Sequence, residues 1–367
     1  MEMINWAEVR AKFPVTSKSV YLNTAAAGPL ADSTAKAGQL YYEQMMNDGD
    51  THWDEWLARC EDIRRQVAAF INAEPEEIGF TTNTSSGMNL IVDALEKHGE
   101  VISCDLEFPV TTIPWMHRRI PVHFVKSVAG VVRPEDVRAA MNTRTGIISM
   151  SYVQFSNGFR SDLEELASIK GNYALVVNAS QAAGAFEIDV KRMKIDALCS
   201  TGHKWMRSGY GSGFVYISKE LQAASRQRTI GWLSVHDPYG MRNDEIHLRH
   251  DVASRAEIGC LHFAGVFALG ASIELMQSLG IENIQTRVLE LNRKLTSRLD
   301  GKVLSPLAEE KFRSAETLVA VDDPAKTVAQ LAQQNILVTE KPQGIRVSTD
   351  FFNNEDDIES LIRNLSV

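Results

Sequence analysis

The sequence predicts an α/β fold, a mainly parallel sheet followed by a smaller α+β unit, on three observations. Up to about Ile217, short apolar runs alternate with helical or loop segments, the repeated βα pattern of a sheet covered on both faces. After Arg255 that alternation gives way to two long helical stretches and a few short strands. A length of 367 residues, 44% of them hydrophobic and 23% charged, is enough for one large domain and a smaller one.

Each element has its own signal. Trp53, Trp56, Leu57, Cys60, Ile63, Val67, Phe70 and Ile71 recur at three- and four-residue spacing, predicting an amphipathic helix that ends near Ala73. IGFTT then reads as a short strand, and GMNLIVDALEKHG as a helix stopped by glycine. VISCD, VHFVK, GIISMSY, ALVVN, ALCST and GFVYI are further strands. FAGVFALGASIELMQSLG and IENIQTRVLELNRKLTSRL read as two helices. They are followed by a strand over 317–321, a helix over 324–335, short strands around Ile336 and Ile345, and a last helix from Glu355. The expected division is a large domain over 15–258 and a small one over 259–367, with residues 1–14 a candidate addition to the second.

Composition narrows the function. A formal net charge of -9 without any Lys/Arg block argues against nucleic acid as a partner. No run is apolar enough to span a membrane, and MEMINWAEVRAKFP lacks the apolar core of a signal peptide, so a cytoplasmic protein is expected. Cys60, Cys104, Cys199 and Cys260 lie far apart and read as reduced, mostly buried residues. His247, His250 and His262 lack the accompanying ligands of a metal site, so no metal is expected; HLRH reads as a loop near the active site.

Two stretches carry chemistry. In FTTNTSSGMNLIVDAL a strand runs into Asn83, Thr84, Ser85, Ser86 and Gly87 and a helix begins at once, so hydroxyls and free N–H groups converge where a phosphate binds well. A single N-cap explains one of those hydroxyls but not three. In STGHKWMRSGYGSG, Lys204 stands between His203 and Trp205. A free lysine is almost wholly protonated at neutral pH, and desolvation with cations such as Arg207 and His203 would lower its pKa enough for attack on a carbonyl. A nucleophilic lysine beside a phosphate cradle suggests a phosphate-bearing aldehyde, pyridoxal phosphate.

STGHKW followed by GYGSGFVYI, with VVNASQAAGAFEIDV and NTSSGMN before it, resembles the class V aminotransferases of the fold-type I pyridoxal-phosphate enzymes. That group includes cysteine desulfurases, selenocysteine lyases and isopenicillin N epimerase-like proteins, and the resemblance runs from YLNTAAAGPL to GIRVSTDFFNNEDDIESL. It implies that Lys204 bears the cofactor as a Schiff base and that Thr84, Ser85, Thr201 and His203 hold the phosphate. Phe108 would stack on the ring, Gln181 would bond its phenolic oxygen, and Arg346 would fork onto a substrate carboxylate.

Three departures stand out. Asn178 occupies the place of the family's aspartate beside the ring nitrogen, which would leave a weaker electron sink. Cys260 replaces a threonine that reaches the phosphate across a dimer interface. From Gln330 to Val367 there is no cysteine, which argues against persulfide-type desulfuration. The expectation is therefore a homodimeric enzyme acting on an amino acid or amine through Lys204, by aminotransferase-like or C–S/β-elimination lyase chemistry. Epimerisation, or a non-catalytic cofactor-binding protein with a regulatory role, is the alternative.

Overall fold

The computed structural model describes residues 4–299 and 301–365. Its strands are β1 (Val20–Tyr21), β2 (Ile78–Phe80), β3 (Glu100–Cys104), β4 (Val122–Val125), β5 (Thr145–Ser151), β6 (Ala174–Asn178), β7 (Ala197–Thr201), β8 (Gly213–Ile217), β9 (Glu316–Val319), β10 (Ile336–Leu337), β11 (Thr339–Lys341) and β12 (Gly344–Ser348). Seven of them form the central sheet in the order β2-β8-β7-β6-β5-β3-β4. From β4 through β7 every pairing is parallel, and only β8 runs against its neighbours. Strands β5 to β8 are buried along their whole length, which is why their sequences are apolar runs rather than alternating patterns.

Each face of this sheet is covered. The helix Thr84–Leu95 packs Met88, Ile91, Val92 and Leu95 against Val101, Ile147 and Val176 on one side. On the other, the helix Phe263–Leu279 is buried almost all round and lies against the helices Asp32–Asp48 and Trp53–Phe70. No single helix among the described residues is long and apolar enough to cross a membrane.

A second, antiparallel sheet of order β11-β12-β9 closes the chain, and β1 pairs in parallel with β10 beside it. Leu22 joins Leu291, Leu295, Val319, Leu331, Ile345, Val347 and Leu361 in one apolar cluster, so the N-terminal segment is built into the C-terminal unit. Arg10 fixes the first helix to the last through Asp357 at 2.7 Å.

Some elements differ from expectation. The helix Asp32–Asp48 gives little apolar signal because it buries only Thr34 and exposes Tyr42, Met45 and Met46. The helix from Trp53 stops at Phe70, the strand expected over 317–321 runs from Glu316 to Val319, and the following helix ends at Gln333. The segment around 336–348 forms three strands rather than two, because Pro342 and Gln343 turn the chain back after only three residues of β11.

Candidate active site

The carboxyl ends of the parallel strands converge on one pocket, the usual ligand position in an open α/β sheet. Asn178 is the last residue of β6, Thr201 the last of β7 and Ser151 the last of β5. Thr84, Ser85, Phe108, Asn178, Gln181, Thr201, His203 and Lys204 all line this pocket. Arg346, in the middle of β12, stands outside the lining and meets it through Phe155, donating from Nη1 to that carbonyl at 3.5 Å.

One corner is a cradle of donors. Asn83 caps the helix Thr84–Leu95 by accepting from the Ser86 N–H at 3.0 Å, which leaves the Thr84 and Ser85 hydroxyls free of that duty. The Thr84 hydroxyl meets that of Ser180 at 2.6 Å, and the Thr201 hydroxyl meets His203 Nδ1 at 2.7 Å. His203 stacks on Tyr210, with ring centroids 4.4 Å apart. Desolvation, with the nearby Lys204 charge, lowers the His203 pKa to about 4, so at neutral pH it is an uncharged ring.

Lys204 follows in the turn after β7. Its pKa falls to about 8, first through desolvation; Glu316 opposes the fall, and Arg346 and Lys341 assist it. The cations acting on Lys204 are therefore not the two expected from the sequence. Arg207 is turned away into an ion pair with Asp350, and His203 carries no charge. The Lys204 amine lies 5.7 Å from the Phe108 ring centre, and Phe108 meets Phe155 edge-on at 5.1 Å.

The two amides are oriented by their partners. Asn178 Oδ1 accepts from the Ser180 N–H at 3.1 Å, so its amino end points the other way, donating to the Thr111 hydroxyl at 3.0 Å. Gln181 donates to the Ala25 carbonyl at 3.0 Å and accepts from the Trp205 indole N–H at 2.8 Å, which leaves one N–H for the pocket. Just before Phe108, the buried carboxyl of Glu107 accepts from the Ser151 N–H and from Gln154, each at 2.6 Å.

Glu316 and Lys341 gave no separate sequence signal. The one trace of Glu316 is an acid set among apolar residues in AETLVAV. Other expectations fall away: His247 and His250 are exposed and line no part of this pocket. Cys260 lies in a neighbouring concavity with Thr81, Ser86, Gly211 and His262.

Known proteins match this chain in sequence and in fold. The family model for aminotransferase class-V matches residues 20–361. An uncharacterized aminotransferase, YcbU of Bacillus subtilis, is 25% identical over 97% of this chain and 96% of its own. The apo cysteine desulfurase of Thermococcus onnurineus superposes with a TM-score of 0.89 at 23% identity, over 99% of this chain and 97% of that one. A mutant of C-DES with glycine covalently linked to its PLP cofactor superposes with a TM-score of 0.87 at 20% identity, over 97% and 98%.

The donor set suits that cofactor. Hydroxyls at a helix N-terminus can take a phosphate dianion, a desolvated lysine can take an aldehyde, and the Asn178 amide can meet a ring nitrogen. On the family model and this fold together, the chain belongs to the class V aminotransferase family, the pyridoxal-phosphate-dependent enzymes of fold type I.

Proposed function

We propose that the enzyme acts on an amino acid at Lys204, by aminotransferase-like or C–S/β-elimination lyase chemistry, without a protein persulfide. The observation that carries this reading is the Lys204 amine, which shares its pocket with the hydroxyl cradle and has its pKa lowered to about 8 by desolvation, with Arg346 and Lys341 assisting. Bound pyridoxal phosphate supplies an aldehyde that captures amines and a ring that draws electrons from the α-carbon.

The protein does the rest. Thr84, Ser85, Thr201 and the neutral His203 would hold the phosphate, Phe108 would cover the ring, and Asn178 and Gln181 would each offer the cofactor an N–H. Arg346 orients the substrate carboxylate. Lys204 would take the proton from the substrate α-carbon and return it.

The support for a reading without a persulfide is the position of the cysteines. Only Pro342 and Gln343 join β11 to β12, in the region where desulfurases of this family carry their cysteine loop, and no cysteine follows Gln330. We further infer a cytoplasmic homodimer. Support for the dimer is the run of exposed apolar residues Tyr210, Ile230, Trp232, Tyr239, Met241 and Ile246 along the segment between the Lys204 turn and Cys260. Light scattering that found an active monomer would refute that part.

Borohydride reduction, digestion and mass spectrometry test the central assignment. The expected result is one pyridoxyl-modified peptide containing Lys204. Full cofactor occupancy with the label elsewhere overturns the proposal.

A further inference from the structure

Glu316 is a buried acid beside this site, outside the pocket lining, that no family motif accounts for. It opens β9, opposite Ser348 of β12 and two positions along the same sheet face from the Arg346–Leu318 pair. Its carboxyl is almost fully buried, and neither oxygen has a hydrogen-bond partner among the described residues. A buried carboxyl in that state is costly unless a donor meets it.

The surroundings do not supply that donor. Ser348 is already committed, donating to the Leu22 carbonyl and accepting from the Ala25 N–H, each at 3.1 Å. Ser314 is likewise taken, donating to the Gly158 carbonyl at 2.6 Å. The nearest cation, Arg346 Nη1, stands 3.5 Å from Glu316 Oε2, and Arg346 Nε has no partner either. The contrast with Arg10 and Asp357, joined through two nitrogens at 2.7 and 3.0 Å, is plain. Arg346 and Glu316 face each other without closing, as an acceptor-seeking fork beside a donor-seeking carboxyl. Arg346 Nη1 also reaches the carbonyl of Phe155, which lines the pocket together with Lys204, so the gap adjoins that pocket.

We infer that Glu316 is a specificity-determining residue, which binds a hydrogen-bond donor on the substrate side chain, an ammonium or a carboxamide, while Arg346 takes the carboxylate. This rests on the reading above in which an amino acid binds at Lys204 and Arg346. Desolvation raises the Glu316 pKa while Arg346, Lys204 and Lys341 act to lower it, so the bound donor completes a balance that the protein leaves open. A second carboxylate on the substrate would be repelled, and an apolar side chain would leave the carboxyl unmet.

The test uses the cofactor-loaded enzyme and four probes of similar length: L-glutamine, L-ornithine, L-norvaline and L-glutamate. Dissociation constants come from calorimetry and from the change in cofactor absorbance. Glutamine, ornithine or both should bind at least about tenfold more tightly than norvaline and glutamate, as expected for a charge-assisted bond. Glu316→Leu should abolish that preference. Glu316→Gln, which keeps shape and fold, should weaken ornithine at least about tenfold relative to norvaline, because a neutral amide replaces the carboxylate. Norvaline or glutamate binding as tightly as the best donor, or a preference that both variants leave unchanged, overturns the inference. Silence with all four probes, with the cofactor fixed on Lys204, overturns the amino-acid reading and this inference with it; binding without preference overturns this inference alone.

Discussion

Arg207 and Asp350 form a buried ion pair that ties the turn bearing Lys204 to the strand end bearing Arg346. Arg207 Nε donates to Asp350 Oδ2 at 2.9 Å, a second nitrogen meets Oδ1, and Nη1 holds the Gly184 and Trp205 carbonyls. Arg207 sits in the left-handed region at φ 48°, which places its side chain under the turn. Removing one partner strands a buried charge, so Arg207→Met should cost about 3–5 kcal/mol of stability, and Arg207→Met with Asp350→Leu distinctly less. Denaturant unfolding of the three proteins checks this. Equal losses in the single and double variants would contradict it.

Lys204 should titrate far below a free lysine. Its neutral fraction grows as pH rises towards about 8, so competitive amine labelling of the cofactor-free protein should increase tenfold per pH unit below that point and level off above it. Arg346 and Lys341 both disfavour protonation of Lys204, so Arg346→Met and Lys341→Met should each move the midpoint upward. A wild-type midpoint near 10.5, the ordinary lysine value, would show that the amine is not desolvated.

Much of this site is legible in the sequence because its residues sit where elements end. Thr84 and Ser85 begin a helix, Asn178 and Thr201 close strands, and strand-to-loop junctions show in any apolar pattern. What escapes reading is supplied from far along the chain. Glu316, Lys341 and Asp350 reach the site only because the C-terminal sheet folds back onto it, and local periodicity does not register such contacts. The same limit explains the misassigned neighbours of Lys204. Arg207 is three residues away, yet it faces Asp350, 143 positions on.

At Asn178 an aspartate should be accommodated. It would still accept from the Ser180 N–H and would accept from the Thr111 hydroxyl, which now accepts from Asn178. A carboxylate beside the ring nitrogen restores a charge-assisted bond of about 1.5–3 kcal/mol. Asn178→Asp should therefore raise exchange of a bound amino acid's α-hydrogen with deuterium by roughly one to two powers of ten, with labelling at Lys204 unchanged. NMR in heavy water measures it. Exchange that is unchanged or slower in the variant would overturn this account of the position.

Gly28 admits no side chain. Its N–H donates to the His203 carbonyl at 2.7 Å, and an added Cβ would lie 2.1 Å from the Lys204 carbonyl oxygen and 3.0 Å from Arg207 Cγ. Gly28→Ala must displace the turn that aims Lys204, so it should lower thermal stability by about 1–3 kcal/mol and weaken cofactor retention on dialysis. Unaltered melting and retention would mean that the turn yields freely.

The four thiols should stay unmodified during turnover. Cys60, Cys104 and Cys199 are buried, and burial pushes the Cys60 thiol up to about 12 and raises the other two. Cys260 is exposed but lines the neighbouring concavity. Persulfide-selective labelling after incubation with cysteine should find nothing that depends on turnover. A stoichiometric persulfide at any of the four contradicts the proposed chemistry.

The pairing of the N-terminal segment with the last strands has a consequence for how the protein is made. Ala25, whose carbonyl holds Gln181, donates to the Ser348 hydroxyl 323 residues downstream, and β1 has no partner until β10 exists. At roughly 5–20 residues per second of synthesis, the first segment waits tens of seconds on the ribosome before its contacts emerge. Closing so long a loop is slow compared with forming neighbouring βα units. Nascent chains should therefore complete the central sheet first and acquire the ability to retain cofactor only once β10 and β12 have emerged.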